Sequence, residues 1–182
     1  MRGKIFGTLG AIAGALVLAF VVLFFVAGRA YRMPSSAMEP TLHCARPAPG
    51  CTASQEDRFL VLKWIGFGRR DIVAFKTPLL AQVRCGAGGT YIKRVIGLPG
   101  ETVSERNGYI YIDGKKLSEP YVKPDRRDQM SGSWRVPKNA YFVLGDNRAQ
   151  SCDSRIWGSV PAKNVVGRLA FIYWPLSRIG SR

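Results

Sequence analysis

The fold class predicted for this chain is mainly β, a single outer domain behind one N-terminal membrane-spanning helix, and three observations predict it. Residues 5–27 form a run of 23 residues without one charged side chain, with Arg2 and Lys4 before it and Arg29 and Arg32 after it. Beyond that run the apolar residues come in short stretches rich in aromatic and β-branched side chains, which is strand patterning. Helical periodicity after residue 27 is weak.

At 1.5 Å per residue the 5–27 run would reach about 34 Å, enough to cross a hydrocarbon core of about 30 Å. A cleavable secretory leader is the competing reading, but its apolar centre usually runs only about 7–15 residues. The run is therefore read as a retained anchor at 5–27, with 1–4 as a short N-terminus before it and 28–182 as one domain large enough to bury a core. Arg2 and Lys4 favour an inside N-terminus, while Arg29 and Arg32 weaken that bias. Strands are expected at 59–64, 71–75, 91–96 and 141–144. YIYIDGKKL at 109–117 reads as a hairpin, with Asp113 and Gly114 supplying the two positive-φ positions of a tight turn. The stretch 46–50, with Pro47 and Pro49, reads as a loop, and 123–133 as a polar, mobile insertion.

The formal charge is +15, from 27 Lys and Arg against 12 Asp and Glu, and removing Arg2 and Lys4 leaves +13 on the outer part. No helix-turn-helix, zinc-finger or RNA-binding aromatic signature accompanies it, so nucleic acid is not the expected partner. Beside a membrane anchor, attraction to anionic lipid headgroups accounts for the charge better; a merely solvated basic surface is the plainer alternative.

Three blocks carry chemistry: MPSSAMEPTL at 33–42, YIKRVIGLPGE at 91–101 and GDNRAQSCDSRIWGSVP at 145–161. In this order they resemble the type I signal peptidase family, whose nucleophile run has the form P-S-x-S-M-x-P-T-L. Aligning on Pro34, Met38, Pro40, Thr41 and Leu42 puts Ala37 where the family has its serine. DRFLVLKW, DIVAF and the closing VVGRLAFIYWP extend the resemblance over nearly the whole outer domain. It implies a β-barrel catalytic domain outside the plasma membrane, acting as a monomer on signal peptides of exported preproteins without cofactor or metal. GDNRAQS departs from the commoner GDNRDNS at Ala149 and Gln150, and Arg70 stands where RGD is common.

A serine hydroxyl attacks only when a neighbouring base, neutral at working pH, takes its proton. The one histidine, His43, lies close to Ala37 in sequence and has no obvious orienting acid, so a lysine is considered. An ordinary lysine titrates near 10.4, and acting as a base near pH 8 needs a fall of about two units, roughly 3 kcal/mol, which burial can supply. Lys93 sits between Tyr91, Ile92, Val95 and Ile96, although alternation leaves its face open and exposed edge charges at Lys93 and Arg94 are the alternative. The resemblance implies that Lys93 is the general base and that Ser35 and the N–H of residue 37 form an oxyanion hole. It implies that Ser151 orients the lysine, that Asp153 and Arg155 brace the site, and that Asp146 and Asn147 form its turn. It also implies substrate contacts from Pro34, Met38, Leu42, Tyr91 and Ile92. Ser36 would face the other way from residue 37 in an extended segment and is not expected to substitute for the missing serine.

The four cysteines, Cys44, Cys51, Cys85 and Cys152, are even in number and fall in a domain that the resemblance places in an oxidising compartment, where disulfides are permitted. Cys44 and Cys51 bracket a short Pro-Gly loop and are paired here, which leaves Cys85 with Cys152. Zinc spacing is absent. Two rival readings remain at this stage. One is a natural relative that binds signal peptides or partners without cleaving them, for which Ala37 speaks. The other is a serine–lysine self-cleaving repressor, which would need a DNA-binding domain where this chain has an anchor.

Overall fold

The structure is a computed structural model that describes residues 14–15, 28–86 and 88–181. The predicted span at 5–27 therefore lies outside the described residues apart from Gly14 and Ala15; among the described residues no helix is long and apolar enough to cross a membrane.

Eleven strands are described: β1 Gly28–Arg32, β2 Arg58–Leu62, β3 Ile72–Lys76, β4 Thr90–Gly97, β5 Thr102–Arg106, β6 Tyr109–Ile112, β7 Lys115–Lys116, β8 Gly132–Arg135, β9 Ala140–Leu144, β10 Val160–Pro161 and β11 Val165–Trp174. They form a seven-stranded sheet in the order β1-β2-β11-β3-β4-β9-β10 and a four-stranded sheet in the order β7-β6-β5-β8. The mainly β expectation holds. Among the described residues no ladder joins β1 to β10, the two ends of the large sheet. β10 has only two residues and ends at Pro161, which has no N–H to extend a ladder.

The strand runs predicted from sequence match β2, β3, β4 and β9 within a residue or two. The hairpin is present, with Asp113 at φ 46° and Gly114 at φ 82° in its turn. The 123–133 stretch is not a mobile insertion. Arg127 pairs with Glu119 at 3.6 Å, Asp128 pairs with Arg155, and the stretch leads into β8, which hydrogen-bonds to β5. Its charges read as a solvated tract but serve as partners for charges elsewhere in the fold.

Among the described residues from 28 onward two α-helices connect strands: α1 Leu79–Cys85 and α2 Ser154–Trp157. Neither was foreseen from the sequence, and the first shows why. Its apolar residues Leu79, Leu80 and Val83 share one exposed face while only Ala81 is buried, and a run of seven residues is too short for the 3.6-residue period to stand out. Gly86 at φ 70° closes it in the left-handed conformation common at helix ends.

The large sheet is covered on both faces, which is why alternation could not orient Lys93. On β3, Ile72 and Ala74 pack with Met38, Leu42 and Phe59 on one face, while Val73 and Phe75 pack with Val95 and Trp157 on the other. A third cluster, with Ile96, Val103, Ile110 and Phe142, joins the two sheets.

Candidate active site

The 33–42 block does not run extended through its centre. Ser36–Met38 form one 3-10 turn with all three residues buried, entered from an extended Ser35. This changes the reason Ser36 is set aside. Its hydroxyl is not turned away by strand alternation; it donates to Gln150 Oε1 at 3.1 Å.

A cavity of about 430 Å³ opens beside this turn, lined by Pro34, Ser35, Ala37, Tyr91, Ile92 and Lys93 among others. Residues that are about sixty apart in sequence are thus brought to one cleft, and Ala37 and Lys93 share it. Met38 and Leu42, assigned to substrate contact from the sequence, are fully buried in the core and do not line the cavity. Their side chains anchor the turn from beneath.

Lys93 lies in the middle of β4, opposite Val73 of β3. It is 4% exposed, and its Nζ donates to Ser151 Oγ at 2.9 Å. Burial lowers its pKa to about 8, the charge of Asp153 raising it and that of Arg155 lowering it by lesser amounts. A lysine in this state is substantially neutral in mildly alkaline solution and can accept a proton.

Ser151 is held by its neighbours. Asp153 accepts from Arg155 Nε at 2.8 Å and Nη2 at 2.9 Å, and its other bonds reach the backbone N–H groups of Gly145 and Arg155. Gly145 is a glycine because a Cβ there would collide with Ser151 Oγ and with the carbonyl oxygen of Ala37. The 145–155 segment therefore rests directly on both the lysine's partner and the turn of residue 37.

Asp146 and Asn147 do more than shape a turn. Asp146 takes a bidentate bond from Arg94, at 2.8 and 2.6 Å, and a bond from Thr41 Oγ1 at 2.5 Å. Asn147 donates its backbone N–H to Ala37 O and its Nδ2 to Ser36 O, each at 3.1 Å. Both residues grip the segment that carries position 37.

Sequence reasoning missed Arg94, Thr41, Glu105, Asp128 and Glu119. Arg155 is shared between Asp153 and, on its far side, Glu105 at 3.4 Å and Asp128. Arg148, fully buried, donates to Gly145 O at 3.0 Å and pairs with Glu119. These partners lie 27 to 50 residues away from their arginines and announce themselves by no motif.

His43 does have an acid: Glu39 Oε2 lies 2.7 Å from its Nδ1, contrary to expectation. His43 is not among the cavity's lining residues, so the pair belongs to the loop that follows the turn. Both expected disulfides are present, Cys44–Cys51 and Cys85–Cys152. The second lines the cavity and ties the end of α1 to the residue after Ser151. Among the described residues no cluster of His, Cys, Asp and Glu could hold a metal ion.

Comparison with known proteins points the same way. The family model described as signal peptidase, peptidase S26, matches residues 5–174. A probable signal peptidase I-1 of Synechocystis sp. is 40% identical over 175 residues, covering 91% of this chain and 81% of its own. A signal peptidase I of Leptolyngbya laminosa is 39% identical over 172 residues, covering 91% of this chain and 78% of its own. Signal peptidase I S of Bacillus subtilis (strain 168) is 36% identical over 183 residues, covering 93% of this chain and 89% of its own. With the family model spanning nearly the whole chain and such relatives covered over most of their length, this chain belongs to the signal peptidase family, peptidase S26.

Proposed function

We propose that this fold is that of a signal peptidase I, built to hydrolyse the bond joining a signal peptide to an exported preprotein by a serine–lysine mechanism, and that the chain with Ala37 binds without cutting. The observation that carries this reading is the buried Lys93, its pKa drawn down to about 8, in one cleft with Ser35 and position 37 and hydrogen-bonded to Ser151.

In the mechanism, a serine at 37 gives its proton to neutral Lys93 as its oxygen attacks the scissile carbonyl. The oxyanion that forms is met by the N–H of residue 37 and the Ser35 hydroxyl, and such donors are worth about 3–4 kcal/mol each. Lys93, now charged, returns the proton to the leaving amine. Ser151 keeps the amine in place. A water then repeats the sequence on the acyl-enzyme. Alanine supplies no attacking oxygen, so the turn, the base and the cleft remain while the first bond cannot form.

The apolar run at 5–27 is the proposed anchor, with the N-terminus cytoplasmic and the domain 28–182 outside. Anionic lipid is the proposed surface for its positive charge, and a monomer the proposed working state. Tethering enzyme and preprotein to one bilayer would raise their effective concentration. The second reading, a natural relative that binds signal peptides and does not cleave, is favoured by Ala37 itself.

The test is to incubate the Ala37 and Ala37→Ser proteins with a preprotein in detergent and to follow the products by mass. Cleavage by Ala37→Ser alone supports the proposal. Cleavage by the Ala37 protein that disappears on Ser36→Ala would overturn it, and silence of both proteins would favour the binding relative.

A further inference from the structure

Gln150, one of the two departures in the third block, stands at the junction of the turn and the cleft. Its Oε1 accepts from Ser36 Oγ and from Asn147 Nδ2, both at 3.1 Å. Asn147 Nδ2 also donates to the Ser36 carbonyl, which can only accept, so the orientation of both amides is determined by the hydrogen bonding. Gln150 Nε2 is left with no partner among the described residues, and the exposed side chain lines the cavity with Ser35, Ala37 and Lys93.

A second feature converges on the same pair. Gly50, at φ 75°, lies against it so closely that a Cβ would come within 2.6 Å of Ser36 Oγ and would collide with Gln150 Oε1. Gly50 precedes Cys51, whose bond to Cys44 closes the loop after the turn. The disulfide loop thus presses bare backbone onto the Ser36–Gln150 bond.

We infer that Gln150 is a positioning residue with two tasks: its oxygen ties Ser36, and with it the turn carrying position 37, and its free N–H2 donates to a main-chain carbonyl of the peptide in the cleft. An extended peptide presents such carbonyls along its whole length, and a side-chain amide anchored at its oxygen is a preorganised donor to them. The inference rests on the signal peptidase reading for the identity of the peptide, but the tie to the turn does not.

The experiment separates the two tasks in the Ala37→Ser protein acting on a preprotein. Ser36→Ala removes the tie alone and lowers kcat about fivefold with KM unchanged, the cost of one ordinary hydrogen bond. Gln150→Glu keeps an acceptor and loses the donor, raising KM about fivefold with kcat nearly kept. Gln150→Leu does both, and adding Ser36→Ala to it lowers kcat no further. Independent, additive losses in kcat for Ser36→Ala and Gln150→Leu, or an unchanged KM in both glutamine variants, would overturn the assignment. Amide NMR of the Ala37 chain provides a readout that needs no cleavage. Ser36→Ala and Gln150→Leu should move the same resonances at 36–38 and 147, and their failure to do so refutes the tie whether or not Ala37→Ser restores activity. If Ala37→Ser cleaves nothing while the shared shifts appear, the functional reading fails and the positioning of the turn stands.

Discussion

Lys93 and Arg94 are adjacent cations on one strand, 4% and 6% exposed, and the fold treats them in opposite ways. Arg94 is met by two carboxylate oxygens of Asp146, by the Arg70 carbonyl at 2.6 Å and by the face of Tyr121, 4.0 Å from its guanidinium carbon. Burial alone would lower its pKa, but the bonds and charge of Asp146 outweigh that and raise it. Lys93, on the other face of β4, receives one hydroxyl and no carboxylate, so burial wins and the amine is held near neutrality. The difference teaches that burying a charge becomes chemistry only where the fold withholds a counter-ion.

The sharpest way to break this contrast is to delete each cation in turn. In the Ala37→Ser protein, Lys93→Met should lower the rate of cleavage about a thousandfold, the usual order for a lost general base. The parent's rate should rise with pH through about 8, where Lys93 gives up its proton. Retained activity or a flat profile would show that another group takes the proton.

Arg94→Met should act on stability instead, costing about 3–5 kcal/mol because Asp146 is left buried and unpaired. Denaturant unfolding measures it, and Arg94→Met combined with Asp146→Asn should recover part of the loss.

Lys93→Met should do the reverse and stabilise the fold. The folded chain holds Lys93 at about 8 against the ordinary 10.5, so between these values the unfolded chain binds more protons and stability rises with pH. The penalty is therefore complete below about 8, and the gain from Lys93→Met should reach at most about 3 kcal/mol there and vanish by the top of the window. A melting-temperature difference independent of pH from 6 to 10 would contradict it.

The smallest effect is expected at Glu105, whose carboxyl is raised from 4.5 to about 7 chiefly by burial, with Arg155 pulling it down by less. Here the folded state binds more protons between those values, so stability falls as pH rises through them. Glu105→Gln should stabilise the fold at pH 8 by about 1 kcal/mol or more, read as a higher melting temperature, and change little at pH 4. A loss at pH 8 would mean that the bond to Arg155 outweighs burial.

Much of this was legible in the sequence, for reasons that differ by residue. The Asp113-Gly114 turn is local chemistry, and the 109–117 hairpin followed from it. Lys93, Ser151, Asp153 and Arg155 were marked by blocks long enough to be recognised. Met38 and Leu42 sit in the 33–42 block beside Ser35 and position 37, yet they serve the core, because a block holds packing residues and chemical residues side by side. The small sheet's β5 and β8 escaped notice: Thr102–Arg106 and Gly132–Arg135 mix polar and apolar residues, and their pairing spans a charged tract. Nor could periodicity find the partnership of Arg155 with Asp128 and Glu105, since ion pairs between distant segments leave no repeat in the chain.

That partnership reaches further than bracing. Seen from Lys93, Asp153 pulls the pKa up and Arg155 pushes it down, so the two oppose each other at the base. Glu105 and Asp128 bear on that opposition, since they draw on the same guanidinium from the small sheet and from the loop leading into it. Remove one of those acids and Arg155 presents more of its charge to the lysine, shifting its neutrality to lower pH with the cleft's walls untouched. The small sheet is in this sense a dial: acids outside the cavity's lining trim the acidity at which the base is ready, and can be changed without redrawing what the cleft accepts.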